Sequence, residues 1–203
     1  MSKIFFTADL HIGHKNILKY LPNRPLAIEQ DTLAHDEWLI DLWCSTVGKR
    51  DRIYILGDLT FYKSEEARRL LKRLPGYKYF IYGNHDGSIK SYTNYFQKYV
   101  QILETTIRAR DVEILQSDLQ LVMCHYPLLD WNNKFQGSVM LHGHCHGIQD
   151  AFNRQSKELR FDVGIDGELA RRSSGFINIE MLYDSIMEKT GGKSIQQYVR
   201  DNR

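Results

Sequence analysis

Arg52-Ile53-Tyr54-Ile55-Leu56-Gly57-Asp58 is an apolar run ended by a glycine and a carboxylate. Tyr77-Lys78-Tyr79-Phe80-Ile81-Tyr82-Gly83-Asn84-His85-Asp86 repeats the design with an amide and an imidazole at its end. Between them lies Ser64 to Arg73, with Glu65 and Glu66 in its first turn and Arg69, Lys72 and Arg73 toward its last. That charge order suits the dipole of a helix, and Pro75-Gly76 stops it. Strand, helix, strand predicts parallel neighbours in one sheet, so the expected fold class is α/β.

Upstream, Ile4-Phe5-Phe6-Thr7-Ala8 has the near-continuous apolar character of a strand buried on both faces, and it delivers Asp9 and His11 to its end. From about Glu29 to Val47, the residues Leu33, Ile40, Trp43 and Val47 recur at the spacing of one helix face, while Asp31, Asp36, Glu37 and Asp41 are expected to face solvent. Downstream, short strands are expected at Glu113 to Gln116, Gln120 to Cys124, Val139 to Leu141, Leu159 to Val163 and Phe176 to Glu180, with few helices between them. A second sheet packed on the first is their simplest use. Ser194 followed by Gln197 is a capping-box pattern that starts a last helix carrying Ile195, Tyr198 and Val199. With no repeat, low-complexity run or long linker, residues 1–203 are expected to form a single domain, with a short helical appendage at about 193–203.

The 203 residues suffice for one substantial core, and 27 basic against 25 acidic residues leave a net charge of only +2. The overall field therefore argues for no particular partner, and nucleic acid is not indicated. Cys44, Cys124 and Cys145 are odd in number and contain no Cys-x-x-Cys pair, which suggests neither a disulfide framework nor a sulfur-rich zinc cage and fits a reducing, cytoplasmic setting. The stretch before Asp9 is too short for a secretory core, and no segment approaches the roughly 20 apolar residues that span a bilayer.

Seven of the eight histidines lie in four short segments, Asp9-Leu10-His11-Ile12-Gly13-His14, Gly83-Asn84-His85-Asp86, Cys124-His125 and His142-Gly143-His144-Cys145-His146. Asp9 and His11 stand on alternate residues at a strand end, so both are expected to point the same way. Asp58, from the neighbouring strand, offers a carboxylate with two oxygens that can bridge two cations held roughly 3.5 to 4 Å apart. Asn84 reads alone as a turn residue, but beside His85-Asp86, and after two earlier strand-end clusters, a ligand is the better reading. His125 closes an apolar run, and His144 and His146 alternate between Gly143 and Gly147. His142 shares that alternation with a smaller claim, and His14 is expected to position or contact substrate. Oxygen and nitrogen donors without thiolate suit manganese first, with iron, zinc or nickel as alternatives, over calcium. Cys124 and Cys145 are expected to be buried as small apolar groups.

This pattern resembles the calcineurin-like metallophosphoesterases, especially their small capless bacterial and phage members. The resemblance rests on Asp9-x-His11, Gly57-Asp58, Gly83-Asn84-His85-Asp86, His125 and Gly143-His144-x-His146, in family order over residues from about 4 to 166. It implies a four-layer αββα sandwich of two facing mixed β-sheets flanked by helices. It also implies one metal on Asp9, His11, Asp58 and His146, and another on Asp58, Asn84, His125 and His144. Leu59-Thr60-Phe61-Tyr62 replaces the Asp-Arg-Gly continuation of the protein Ser/Thr phosphatase branch, which speaks against a phosphoprotein substrate. Glu168 to Ser174 also departs from the family after Val163-Gly164-Ile165-Asp166-Gly167.

Two divalent cations outweigh Asp9 and Asp58, so an anionic phosphate ester is the natural guest. A metal-activated hydroxide is expected as nucleophile, with no protein serine or cysteine required. His85 is the candidate acid for the leaving oxygen, and Asp86 is expected to hold its imidazole. The expected function is a binuclear phosphodiesterase acting on a small, nucleotide-like molecule. A nuclease and a non-catalytic metal-binding scaffold are the alternatives. Lys15, Arg24 and Arg154 are candidate phosphate contacts, and Tyr62, Tyr126 and Trp131 candidate stacking surfaces.

Overall fold

The computed structural model describes residues 2–173 and 175–202; Met1 and Arg203, the ends of the expected domain, and Ser174 lie outside the described residues. Strands β1 (Ile4–Thr7), β2 (Arg52–Ile55), β3 (Tyr77–Ile81) and β4 (Lys98–Val100) run parallel, as the strand-helix-strand repeat requires. Ile4 lies opposite Arg52, and Arg52 opposite Tyr77, so the C-terminal ends of β1 to β3 are level. A second sheet has the order β5 (Ile102–Ile107), β6 (Leu119–Cys124), β7 (Val139–His142) and β8 (Arg160–Asp162), parallel except for β5. The two-residue β9 (Ile177–Asn178) closes the first sheet, antiparallel to β1.

Strand alternation divides the apolar side chains between two clusters. Ile4, Phe6, Tyr54 and Leu56 point inward and meet Leu121, Met123, Val139 and Leu141 of the second sheet. Phe5, Ile53, Ile55 and Phe80 point outward. They are covered by Leu39, Ile40 and Trp43 of α2 (Thr32–Thr46) and by Leu70 and Leu71 of α3 (Ser64–Arg73), helices that α1 (Ile17–Tyr20) precedes and that α4 (Asp150–Gln155) and α5 (Glu168–Ser173) follow. The outer face of the second sheet buries Val122, Cys124 and Met140 beneath Trp131 and Leu128. The result is the expected pair of facing mixed sheets with helices outside. No helix among the described residues is long and apolar enough to cross a membrane.

Several expected elements differ. Glu113 to Gln116 is turn, not strand, although Val112 and Leu115 are buried against the inner cluster. Strands β4 and β5 go unpredicted because half-exposed edge strands carry polar residues such as Glu104, Thr105 and Thr106. Phe176 to Glu180 is a strand only at β9, after which Asn178 caps α6 (Ile179–Thr190) by accepting from Met181 N at 2.8 Å. On α2, Asp31 is the N-cap and Leu33 is exposed, whereas Asp36 is buried and accepts from Gly13 N at 2.9 Å and from the Tyr62 hydroxyl at 2.9 Å. The last helix, α7 (Ile195–Asp201), starts at Ser194 as the capping box predicts, and Ile195 anchors it to the inner cluster.

His35, the one histidine outside the motif segments, is fully buried on α2 and neither ring nitrogen has a hydrogen-bond partner. Burial first, then the charge of Arg24, lowers its pKa to about 4. Between about 4 and the unfolded value near 6.5 the unfolded chain takes a proton that the folded chain refuses. The stability His35 gives is therefore complete above about 6.5 and is lost as pH falls toward 4, roughly 3 kcal/mol in all. His35→Leu should flatten the pH dependence of the metal-free melting temperature across that window. Parallel melting curves for the two proteins would refute this account.

Candidate metal centre

The level ends of β1 to β3 and the ends of β6 and β7 bring the motif loops to one edge of the sandwich. Asp9, His11, Asp58, His144 and His146 all have left-handed backbones, with φ of 60°, 55°, 53°, 67° and 48°. These are non-glycine residues in a conformation that costs energy and persists only when the surroundings enforce it. Hydrogen bonds do so here: Asp9 N donates to Gly57 O, and His11 N to Asp58 O at 2.9 Å. The expected alternation of Asp9 with His11, and of His144 with His146, is thus replaced by tight turns that make the side chains converge.

Asp9, His11 and His146 each place a ligand atom within 4.8 Å of the others, and so do Asp9, Asp58 and His125. Asp58 Oδ2 lies 3.7 Å from His11 Nε2 and 3.6 Å from His125 Nε2, the middle position expected of a bridge. Asp9 reaches both groups as well, and its two oxygens accept the His144 N–H at 3.1 and 2.9 Å. The His144 ring stands beside His125 and Tyr126, with centroids 5.0 and 4.7 Å away.

Hydrogen bonding fixes the tautomers. Leu56 O can only accept, so His125 donates to it through Nδ1 at 2.8 Å and turns the lone pair of Nε2 toward the site. That lone pair faces Asn84 Oδ1, another acceptor, at 3.0 Å. His146 donates through Nδ1 to Asp166 at 2.7 Å, so its Nε2 lone pair faces His11 Nε2 at 3.3 Å. Burial lowers the pKa of His125 and, with the charges of His146 and Arg24, brings His11 to about 2, so neither ring holds a second proton. Burial and the nearby Asp162, Asp58 and Asp166 push Asp9 well above the usual carboxylate range. Buried carboxylates beside facing lone pairs fit divalent cations, which neutralise the one and accept the other.

Residues 2–156 match the calcineurin-like phosphoesterases. The chain belongs to that family. Gene 66 protein of Mycobacterium phage L5 is 30% identical over 195 residues, 85% of this chain and 91% of that protein. Gene 66 protein of phage D29 is 29% identical over 167 residues, 72% of this chain and 79% of its own. An uncharacterized protein of Methanocaldococcus jannaschii is 31% identical over 148 residues, 72% and 70% of the two chains. A protein of unknown function from Aquifex aeolicus shares the fold, with a TM-score of 0.65 at 20% identity over 92% of this chain and 100% of that one. Family membership makes this a metal-dependent hydrolase of phosphate esters.

Other expectations for this phosphoesterase change on inspection. Asp86 does not hold the His85 ring. Its buried carboxylate accepts from the backbone N–H groups of Asp58, Leu59 and Gly83 at 2.7, 3.0 and 2.7 Å, clamping two motif loops together. Burial raises its pKa to about 6 against those bonds. His85 is exposed, its N–H donates to Asp58 Oδ1 at 3.0 Å, and its ring lies 5.0 Å from Phe61. His142 is spent on Gly143 O and Asn153, both at 2.9 Å. Arg154 pairs with Glu168, and Trp131 is buried under the second sheet, bonded to Ser138. Tyr62 bonds Asp36, while Tyr126 is on the rim with its hydroxyl 3.4 Å from Asn84 Oδ1. His14 is also at the rim, edge-on to Phe61 at 4.4 Å.

Arg24 is not a free phosphate contact. It is buried and donates to Asp166 through Nε and Nη2 at 2.8 and 2.7 Å, to Leu10 O at 2.9 Å and to Asp9 O at 2.5 Å. Although burial pushes Asp166 up, the bonds from Arg24 and His146 hold its carboxyl well below the ordinary range. Sequence reading leaves Phe61 and Asp166 without a role, although Asp166 stands in the strand-end stretch Val163-Gly164-Ile165-Asp166-Gly167. The signal for Asp166 is its place just past a strand, like Asp9 and Asp58.

Proposed function

We propose that the protein is a two-metal phosphodiesterase acting on a small, nucleotide-like ester. Asp9, His11, Asp58 and His146 hold one ion, and Asp58, Asn84, His125 and His144 the other. What carries the reading is Asp58, whose Oδ2 lies between His11 and His125 while the lone pairs of His125 and His146 face the same space. The nitrogen and oxygen donors favour manganese, with iron, zinc or nickel as substitutes. Bound cations would supply Lewis acidity and bring the pKa of water from near 15.7 to about 7.

His85 is the general acid. Its backbone is pinned to Asp58, and its ring is solvent-exposed beside Phe61, where a leaving oxygen can take the proton. The exposure of Asn84 and His85 supports a diester, whose second substituent needs open space. Phe61 and Tyr126 offer aromatic surface for a base. We also infer one domain over residues 1–203 and, from three free thiols, a cytoplasmic setting.

The test is hydrolysis of bis(p-nitrophenyl) phosphate and p-nitrophenyl phosphate by chelator-stripped protein resupplied singly with manganese, nickel, zinc and magnesium. Manganese should restore turnover, faster on the diester. Preference for the monoester would overturn the diesterase reading, and inactivity with two ions bound would favour a scaffold. His85→Asn should lower turnover by roughly 10²-fold or more on an alkyl diester, whose leaving oxygen needs a proton, and much less on the nitrophenyl diester. Equal losses on both, or loss of the ions, would rule out the acid role.

A further inference from the structure

The two metal positions are not equally supported. His146 Nδ1 donates to Asp166 Oδ2 at 2.7 Å, and this oxygen also accepts from Arg24 Nη2 at 2.7 Å. The other carboxylate oxygen accepts from Arg24 Nε at 2.8 Å, so the guanidinium grips Asp166 as a fork. The same guanidinium bonds the carbonyls of Asp9 and Leu10, within the left-handed turn that presents Asp9 and His11. Ile165 N donates to Ala8 O at 3.0 Å, tying the Asp166 segment to the end of β1. Arg24 has a side chain only 4% exposed, and every bond just named secures the Asp9, His11 and His146 group. His125 has a different support, the Leu56 carbonyl, and Asn84 Oδ1 accepts from the Tyr126 hydroxyl at 3.4 Å.

We propose that Asp166, gripped by Arg24, is a positioning residue that sets the occupancy of one metal position, that of Asp9, His11 and His146, and leaves the other largely independent of it. The inference rests on the two-metal reading and adds an asymmetry to it. Asp166 keeps the proton of His146 on Nδ1 and the lone pair on Nε2. In Asp166→Asn, an amide whose oxygen still faces Arg24 turns its NH₂ toward His146. The ring must then accept through Nδ1 and carry its proton on Nε2, the atom that faces the ion.

The test is manganese binding to metal-free protein, followed by calorimetry and by metal content after dialysis, for wild type, Asp166→Asn, His146→Ala and the double variant. Wild type should take two ions. Asp166→Asn should keep one at near wild-type affinity and bind the second 10- to 100-fold more weakly, the usual effect of losing a carboxylate behind a metal-bound histidine. Raising manganese should restore both the second ion and turnover. In the His146→Ala background, Asp166→Asn should change metal binding no further, because its effect passes through that ring. Wild-type affinity for both ions in Asp166→Asn, an equal loss at both, or an additive loss in the double variant overturns the inference while the two-metal reading stands. A wild type that takes fewer than two ions overturns both. Should Asp166→Asn fail to fold, Arg24→Lys replaces it, because lysine cannot reach Asp166 and both carbonyls at once. It should weaken the same single ion, and unchanged binding of both would equally overturn the inference.

Discussion

Asp58→Asn should abolish turnover, by roughly 10³-fold or more, and yet leave the metal-free protein as stable as wild type or more so. The amide keeps the shape of the carboxylate and can still accept the His85 N–H now bonded to Oδ1 at 3.0 Å. What it cannot keep is an anionic Oδ2 at 3.7 and 3.6 Å from His11 and His125. An NH₂ in that place points at imidazole lone pairs and adds no charge to hold two cations. Without metal the sign reverses. The Asp58 charge helps push up the pKa of Asp9 and of Asp86, so removing it relieves repulsion among buried carboxylates. Loss of function with retained or raised melting temperature marks a site whose geometry is maintained for a cation. The measurements are turnover of the nitrophenyl diester, manganese content and the melting curve of the stripped protein. Two bound ions with activity within a few-fold of wild type would sink the bridging role.

The sheet that carries this site is legible in the sequence, and the reason is burial. Parallel strands covered on both faces read as apolar runs, and Ile53 to Leu56 and Phe80 to Tyr82, each ended by a glycine and a polar group, carry that signature. Edge strands lack that signature. Lys98–Val100 and Ile102–Ile107 sit at sheet edges with half-exposed side chains, and their strand formers Tyr99, Val100, Ile102, Thr105, Thr106 and Ile107 make no continuous apolar run. Helix α6 was legible in principle. Asn178 is a good cap, and Ile179, Leu182, Tyr183 and Ile186 keep helical spacing, but the β-like Phe176 and Ile177 mask its start.

In the site, ligand type is legible and geometry is not. Asp and His enter the left-handed region more readily than most residues, but that leaning does not announce that Asp9, His11, Asp58, His144 and His146 all take it, because tertiary hydrogen bonds impose it. Asp86 follows His85 in sequence yet serves the backbone of the Asp58 loop. Arg24 and Asp166 are 142 positions apart, beyond any local pattern. The adjacency of His85 and Asp86 suggested a contact that the fold does not make, and the separation of Arg24 from Asp166 concealed one that it does.

Gly83→Ala should cost the protein an ion, roughly 10²-fold or more in turnover, and about 1–3 kcal/mol of stability, though it adds one methyl group. A Cβ at position 83 would stand 2.4 Å from Asp58 Oδ1 and 2.9 Å from two carbons of the His125 ring. Neither neighbour can yield cheaply. Asp58 and His125 are 3% and 0% exposed, the first tied to His85 N and the second to Leu56 O. Gly57 crowds the same ring, since a Cβ there would lie 2.5 Å from His125 Nδ1 and 2.8 Å from Gly83 Cα. The methyl group must therefore separate Asp58 from His125, and with them the position they form with Asp9. Gly87→Ala is the control. Its Cβ would meet nothing within 4 Å, so it should match wild type in metal content, turnover and melting temperature. The close approach of two glycine-bearing loops is then a requirement of the metal centre rather than of the fold alone. Two ions and near wild-type turnover in Gly83→Ala would show that the centre can relax around a methyl group and would remove that requirement.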